Sequence, residues 1–466
     1  IGEDREERRF ALDRLGVPLV EVALDPISGD PEFVGRVALH LGRVLRSTGR
    51  VARGLGTIRQ DLNVSTQGGK VVEVKGVQKL NLVPRVVSYE VTRQLGLSKV
   101  AARLKERGVK KVTCVAKDVT KLMKNTASGA LQGQIEEGGV VICIAATGLA
   151  TLMGWEPFPG IRLGKEVAEV ARANSLGGLV HSDEFERQGI TEAEATLLRK
   201  ETRAGPNDAL VLVAGPRDAV EKAVKPLSER LMSTLLGVLA ETRAATEDGE
   251  TRYMRPRPGS ERMYPETDIH DIVLTSQRIA KLSRSLPENW EATVGRLSKA
   301  YSLSRDLALK VYDSEMSPEF ENLAKELDLD PSVIAGTLID TPVRLAREGI
   351  PEEALSAKVL TEVLEAVDSG KVAKEAIPDV LRVVGGKELT VPQAIDTLGI
   401  KAADDAEVES VIVEVIEARK NLIDERGLDA FSALMGDAMG RLRGRADGAK
   451  VGRLLREKLH KITGKV

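Results

Sequence analysis

Apolar and polar positions alternate with period two over residues 58–65, so that Ile58, Leu62 and Val64 fall on one face and Arg59, Asp61, Asn63 and Ser65 on the other. The alternation resumes at residues 70–75, where Val72 and Val74 oppose Glu73 and Lys75, and Gly68-Gly69 lies between the two runs. Two neighbouring strands are predicted, presenting six polar groups to a shared space. A solvated hairpin face has the same alternation, although such faces favour Thr, Lys and Glu over an Arg-Asp-Asn-Ser ladder. A register in which paired residue numbers sum to an even value puts Asp61 and Glu73 on one face; a two-residue turn at Gly68-Gly69 does not.

Upstream, Val17-Pro-Leu-Val-Glu21-Val-Ala-Leu24 is an apolar run with one acid in its middle. A carboxylate inside a strand is costly to bury unless it is paired or holds a cation, which makes Glu21 a site candidate, the alternative being a lone acid at a sheet edge. Asp30-Pro31-Glu32 reads as an N-cap, a first-turn proline and a first-turn acid. It opens a helix to about Ser47 with Val34, Val37, Leu41, Val44 and Leu45 at core spacing and His40 packed near that stripe. A second helix, about 82–95, turns Val83, Val86, Val87 and Glu90 towards the strands.

From 105 to 235 the texture changes to buried-type strands at 112–116, 139–146 and 209–215, with helices at 163–173, 191–200 and 216–235. This is an inserted α+β module, because polar-faced strand material resumes after it in a hairpin around Asp248-Gly249. Arg255, Arg257 and Arg262 crowd beside Glu261, Glu266 and Asp268, which suits either anion binding or a surface ion-pair cluster. Beyond Asp271 the chain is helical and punctuated by prolines, and it ends in a small bundle opened by an acidic stretch at 404–409.

At 466 residues the chain is too long for one ordinary core. No apolar run reaches the length of a membrane span and the start is no signal peptide, so the expected location is the cytoplasm. Two cysteines, Cys114 and Cys143, with four scattered histidines argue against a cysteine-based zinc site, while a hard cation held by carboxylates remains open. His181-Ser182-Asp183-Glu184 is a weak candidate for a triad or metal site. Gly160-Ile-Arg-Leu-Gly164-Lys165 falls one residue short of a phosphate loop and lacks its hydroxyl, so any ATP must be held by cationic side chains and carboxylate-bound magnesium. The net charge is only -2, yet the last 26 residues carry nine Lys or Arg against Asp447 and Glu457. Arg441, Arg443, Arg445, Lys450, Arg453, Arg456, Lys458 and Lys461 there fit RNA phosphates, or simply a solvated helix around Val451, Leu454, Leu455 and Leu459.

Taken in order, Pro18-Leu-Val-Glu21, Arg59-Gln-Asp61-Leu-Asn63-Val-Ser65, Glu73-Val-Lys75-Gly-Val-Gln78, Tyr89-Glu90, Glu241-Thr-Arg243 and Arg262-Met-Tyr264-Pro-Glu266-Thr-Asp268 resemble the GatB/GatE family of tRNA-dependent amidotransferase subunits. The inserted module resembles that of bacterial-type aspartyl-tRNA synthetases, which points to the archaeal branch of the family. The implied fold is multidomain α+β. A mixed-sheet cradle kinase domain, its N-terminal part upstream of Ile1, occupies 1–104 and 236–271, with the synthetase-like insertion at 105–235. An all-α helical domain follows at 272–403, and a YqeY-like helical tail at 404–466.

What the resemblance implies is phosphorylation of the γ-carboxylate of Glu-tRNA(Gln) by ATP with magnesium, followed by displacement of phosphate by ammonia. The ammonia comes from an asparaginase-like partner, the D subunit of the same amidotransferase, in a hetero-oligomer. By motif position Glu21 and Asp61 resemble the magnesium ligands and, with Glu73 and Lys75, the catalytic set. Arg59, Asn63, Ser65, Arg262, Tyr264 and Glu266 resemble the groups around ATP and its phosphates, and the basic tail grips the tRNA. The competing expectations are a non-catalytic tRNA-binding scaffold and a fragment of an aspartyl-tRNA synthetase.

Overall fold

The computed structural model describes residues 2–3, 8–9, 20–52, 57–257, 271–399, 405–442, 445–446 and 448–463. Two compact units are present, one of Ile1–Gly42 with Ile58–Val273, the other of Arg43–Thr57 with Leu274–Val466. No described helix is long and apolar enough to cross a membrane.

In the first unit β1 (Gly2–Glu3) pairs with β2 (Arg8–Arg9), and α1 (Pro31–Ser47) follows, its residues from Arg43 on belonging to the second unit. Asp30 caps α1 as its sequence predicts, accepting a hydrogen bond from the Phe33 amide at 2.7 Å. The expected core stripe of α1 is not fulfilled: Val34, Val37, Leu41 and Leu45 are half-buried, while Val44 and His40 are exposed. The described part of the upstream apolar run is also not a strand. Val20 to Leu24 is irregular and exposed, and it pairs with none of the described strands.

The predicted hairpin forms as β3 (Leu62–Val64) and β4 (Val72–Lys75), pairing Leu62 with Val74 and Asn63 with Glu73. Paired numbers sum to an even value, as the shared polar face requires. The helix behind it, α2 (Val83–Glu106), runs eleven residues past the expected end, carried by buried Leu97, Val100, Ala101 and Leu104. Gly96 does not stop it; a Cβ there would lie 2.6 Å from Ile161, so the glycine permits close packing on the inserted module.

That module holds β5 (Cys114–Asp118), α3 (Gly129–Glu136), β6 (Val140–Ala146), α4 (Leu163–Ala173), β7 (Val180–His181), α5 (Glu192–Thr202), β8 (Ala209–Gly215) and α6 (Arg217–Met232). Its antiparallel sheet has the order β5-β6-β8-β7, with apolar clusters on both faces, so β6 and β8 read as unbroken apolar runs rather than alternating ones. Helix α3 and the edge strand β7 are too short to register as periodic patterns. The chain then returns to the first sheet as β9 (Glu241–Ala245) and β10 (Thr251–Pro256), giving the order β10-β9-β4-β3 with β9 parallel to β4.

In the second unit the described residues from 276 to 398 form the short helices α7 to α15, from Ser276–Arg284 to Val391–Leu398, around a core that includes Phe320, Leu338, Leu364 and Leu381. Four further helices, α16 (Asp405–Ala418), α17 (Lys420–Arg426), α18 (Phe431–Leu442) and α19 (Gly448–Thr463), close on a core of their own around Ile412, Leu434, Leu455 and Leu459.

Candidate functional site

The four-stranded sheet has two unlike faces because each strand alternates. Inward, Val72 and Val74 pack with Val83 and Val86 of α2, each fully buried valine contributing about 1.5–3 kcal/mol, and Val64 is buried on the same face. Outward, Asn63 stands opposite Glu73, and Lys75 donates to Asp61 Oδ2 at 2.8 Å while lying 3.0 Å from Glu73 Oε1. Thr242 of β9, in register with Glu73, donates its hydroxyl to Glu73 Oε2 at 3.0 Å. Across β10, Arg252 pairs with Ala244 and Arg255 with Thr242, so both share this face, and both are exposed.

The charges respond to one another. Partial burial pushes the Glu73 carboxyl up, but the hydrogen bonds from Lys75 and Thr242 and the charges of Lys75 and Arg257 outweigh it and hold the group below the usual carboxylate range. The hydrogen bond to Asp61 raises the Lys75 ammonium above its ordinary value, with Glu73 adding to the effect. Lys75 is therefore a fixed cation between two carboxylates. On one side stand hard oxygen donors; on the other, β10 offers Arg252, Arg255 and, just beyond its end, Arg257.

Behind β9 and β10 lies a second polar assembly, entirely buried: Glu90 and Arg93 of α2, Glu166 and Glu169 of α4, Arg230 of α6, and Glu241 and Arg243 of β9. Glu166 Oε2 receives Arg93 at 2.6 Å, Arg230 at 2.7 Å and Arg243 at 3.3 Å. Glu241 joins Arg230 at 2.8 Å and Arg243 at 2.9 Å, while Glu90 joins Arg93 at 2.9 Å. Glu169 takes Arg243 at 2.6 Å. Burial drives the Glu166 carboxyl up, yet Arg93, Arg243 and Arg230 outweigh it and hold it at about 2. Glu169 goes the other way, raised first by burial, with Glu166 adding repulsion. Thus Glu90, Glu241 and Arg243, which the sequence places among the ordered motifs, join the sheet to the inserted module rather than lining its open face.

Of the candidate residues, Asp61, Glu73 and Lys75 are brought together, with Arg59, Asn63 and Ser65 exposed on the adjoining edge strand and its flanks. Glu21 sits on the exposed irregular segment and makes no ion pair with Lys75 among the described residues. Arg262, Tyr264, Glu266 and Arg443 lie outside the described residues. No group of three or more His, Cys, Asp or Glu gathers to hold a metal among the described residues. Thr242 and Arg252 are not singled out as site residues by the sequence, whereas Arg255 and Arg257 belong to the arginine cluster that it offers for anion binding.

In the tail, Arg441 pairs with Glu414 at 3.0 Å, Arg445 with Glu407 at 2.5 Å and Lys458 with Glu409 at 2.9 Å, so the acids of α16 take up part of the basic surface. Arg456 lies over the Phe431 ring at 4.8 Å. Arg453 and Lys461 of α19 are exposed, and Lys450 is half-buried. The His181 segment is structural: Asp183 accepts the amides of Thr151 and Gly154, and Ser182 accepts that of Leu210. His181 is buried, and burial lowers its imidazole towards the neutral form.

Comparison with known proteins bears directly on this arrangement. A family model described as the GatB/GatE catalytic domain matches residues 2–280, and one described as the GatB domain matches residues 318–459. The E subunit of glutamyl-tRNA(Gln) amidotransferase from Methanopyrus kandleri is 40% identical over 469 residues, covering 99% of this chain and 73% of that protein. Its counterpart from Methanocaldococcus jannaschii is 40% identical over 457 residues, covering 97% and 72%, and that from Thermococcus gammatolerans 38% over 465 residues, covering 99% and 74%.

Proposed function

Because the chain belongs to the GatB/GatE family, we infer that it is the catalytic subunit of a tRNA-dependent amidotransferase that converts Glu-tRNA(Gln) to Gln-tRNA(Gln). The observation that carries the site assignment is the outward face on which Asp61, Glu73 and Lys75 meet beside the arginines of β10.

The chemistry has two steps. A γ-carboxylate oxygen of the tRNA-linked glutamate attacks the γ-phosphorus of ATP, expelling ADP and leaving an acyl phosphate. Ammonia then attacks the acyl carbon, inorganic phosphate leaves, and the nitrogen loses a proton to yield the amide. Charge gathers on phosphoryl oxygens in the first step, so positioned cations are the main requirement. Lys75, with Arg59, Arg252, Arg255 and Arg257, supplies them. Arg262, Tyr264 and Glu266 are proposed to complete the cavity, and Asn63 and Ser65 to donate to phosphate oxygens.

Magnesium is commonly bound by one or two carboxylates plus substrate phosphates. Asp61 and Glu73, both reached by one ammonium, fit that donor set, and Glu21 is a proposed third oxygen donor. When bound, magnesium neutralises phosphate charge. Lys75 meanwhile sits between the two carboxylates and helps to hold Glu73 ionised.

The division into a cradle (1–104 and 236–271), an insertion (105–235), a helical domain (272–403) and a tail (404–466) is proposed on the same grounds, as are a cytoplasmic location and a heteromer with an asparaginase-like D subunit that supplies ammonia. The basic positions of the tail, chiefly the exposed Arg453 and Lys461, are proposed to meet tRNA phosphates. The test is incubation of the full-length protein with Glu-tRNA(Gln), ATP, magnesium and ammonium. Formation of Gln-tRNA(Gln) is expected, and its loss in Asp61→Asn; an inert wild-type protein overturns the reading.

A further inference from the structure

Resting on that reading, we infer that Thr242 is a positioning residue for phosphoryl transfer: its hydroxyl fixes the orientation of the Glu73 carboxylate, and the buried ion lattice behind β9 fixes Thr242.

Glu73 divides its two oxygens between different partners. Oε1 faces the Lys75 ammonium at 3.0 Å, and Oε2 accepts the Thr242 hydroxyl at 3.0 Å. Terminal carboxylate torsions are broad and roughly two-fold, so a glutamate held by Lys75 alone is free to turn both oxygens towards it. With Oε2 occupied by a neutral donor, the plane of the carboxylate is set, and its remaining lone pairs keep one direction relative to Asp61. Thr242 is suited to this task because it is fully buried and its β-branched side chain has few rotamers.

The backbone of Thr242 is held as firmly as its side chain. Its neighbours Glu241 and Arg243 point to the opposite face and enter the lattice with Arg230, Glu166 and Glu169. Sliding β9 by one residue would exchange Thr242 for an ionised side chain on the open face and bury the threonine among charges. The inserted module, through Glu166 on α4 and Arg230 on α6, therefore indexes the strand that presents the hydroxyl to Glu73.

The experiment uses the full-length protein with ammonium as nitrogen donor and compares Thr242→Val, nearly isosteric but without the hydroxyl, with Thr242→Ser. Thr242→Val is expected to lower kcat/KM for ATP about 10- to 100-fold without lowering the thermal midpoint, and to move the acidic limb of its pH profile to higher pH. Thr242→Ser is expected to return to within about threefold of wild type. Because the hydroxyl acts through Glu73, the valine substitution should cost nothing more in a Glu73→Gln background. A valine variant with wild-type rate and profile, a serine variant as impaired as valine, or losses that multiply in the double variant each overturn the proposal. Should the valine variant not fold, Thr242→Ala carries the same criteria. If the wild-type protein forms no Gln-tRNA(Gln), the functional reading fails, and the hold of the Thr242 hydroxyl on Glu73 is decided separately by the carbon-13 titration of the Glu73 carboxyl, identified by its loss in Glu73→Gln. An upward shift in Thr242→Val supports it, and an unchanged titration overturns it.

Discussion

Lys75 lies 2.8 Å from Asp61 across the β3–β4 pair, fourteen residues apart in sequence, on the outward face of the sheet. The pair is largely exposed, so its value to stability is small. Its consequence is for binding, because it prepares one cation and one carboxylate for a charged ligand.

Asp61→Asn should therefore reduce ATP-dependent amidation by at least about 100-fold, while the affinity for tRNA stays within about twofold of wild type. Lys75→Met should lose activity to a similar extent. Steady-state assays with filter binding in parallel separate the two effects.

Glu166 is the hub of the buried lattice, with three guanidinium groups converging on one oxygen. Removing one partner from a buried ion pair typically costs about 3–5 kcal/mol, since the others are left uncompensated. Glu166→Ala should destabilise the first unit on that scale in urea unfolding, and Arg243→Met should do likewise. A loss of under about 1 kcal/mol would show that the lattice is not the joint between sheet and module.

The same group gives a pH dependence. Its folded value of about 2 lies below the unfolded carboxylate value, so its stabilisation is complete above about pH 4.5 and is lost as pH falls towards 2. Glu169 has the opposite sign: its raised value gives stability that is present at low pH and lost as pH rises through the folded value. Acid denaturation between about pH 4.5 and 2 should thus be shallower in Glu166→Gln than in wild type, and removing Glu169 should not produce that change.

In the tail, Arg453→Glu with Lys461→Glu should weaken tRNA binding and reduce the salt slope by about one for each phosphate no longer neutralised. Arg441→Ala should do less, because its guanidinium already pairs with Glu414. Equal effects of the two would mean that the surface pairs open on binding.

Burial pushes the Cys114 thiol up to about 11 and the Cys143 thiol up to about 12, and neither is in a disulfide. Neither should react with a disulfide reagent at pH 8 until denaturant is added, which a colorimetric thiol count follows directly.

Sequence alone determined the elements whose signal is local. Alternation at 58–65 and 70–75 set β3 and β4 and which side chains share a face within each strand, whereas the register that brings Asp61 and Glu73 to one face was decided by the pairing itself. Asp30-Pro31 set the start of α1 by supplying the missing acceptor for its first amides. The ordered motifs also sufficed to place the chain in its family. Only the tertiary structure decided which polar residues are buried. Spacing turns Glu90 towards the strands, but nothing local marks Glu166, Arg230, Glu241 and Arg243 as buried, because no short-range pattern records that residues 166 and 230 return to residues 93 and 243. The outcome for α1 was decided in the same way: periodicity gives a helix its stripe, but a core forms only where another element comes to cover it. Thr242 illustrates both halves, since its place on the outer face follows from alternation, whereas its hydroxyl meets Glu73 only because β9 returns parallel to β4 after the whole inserted module.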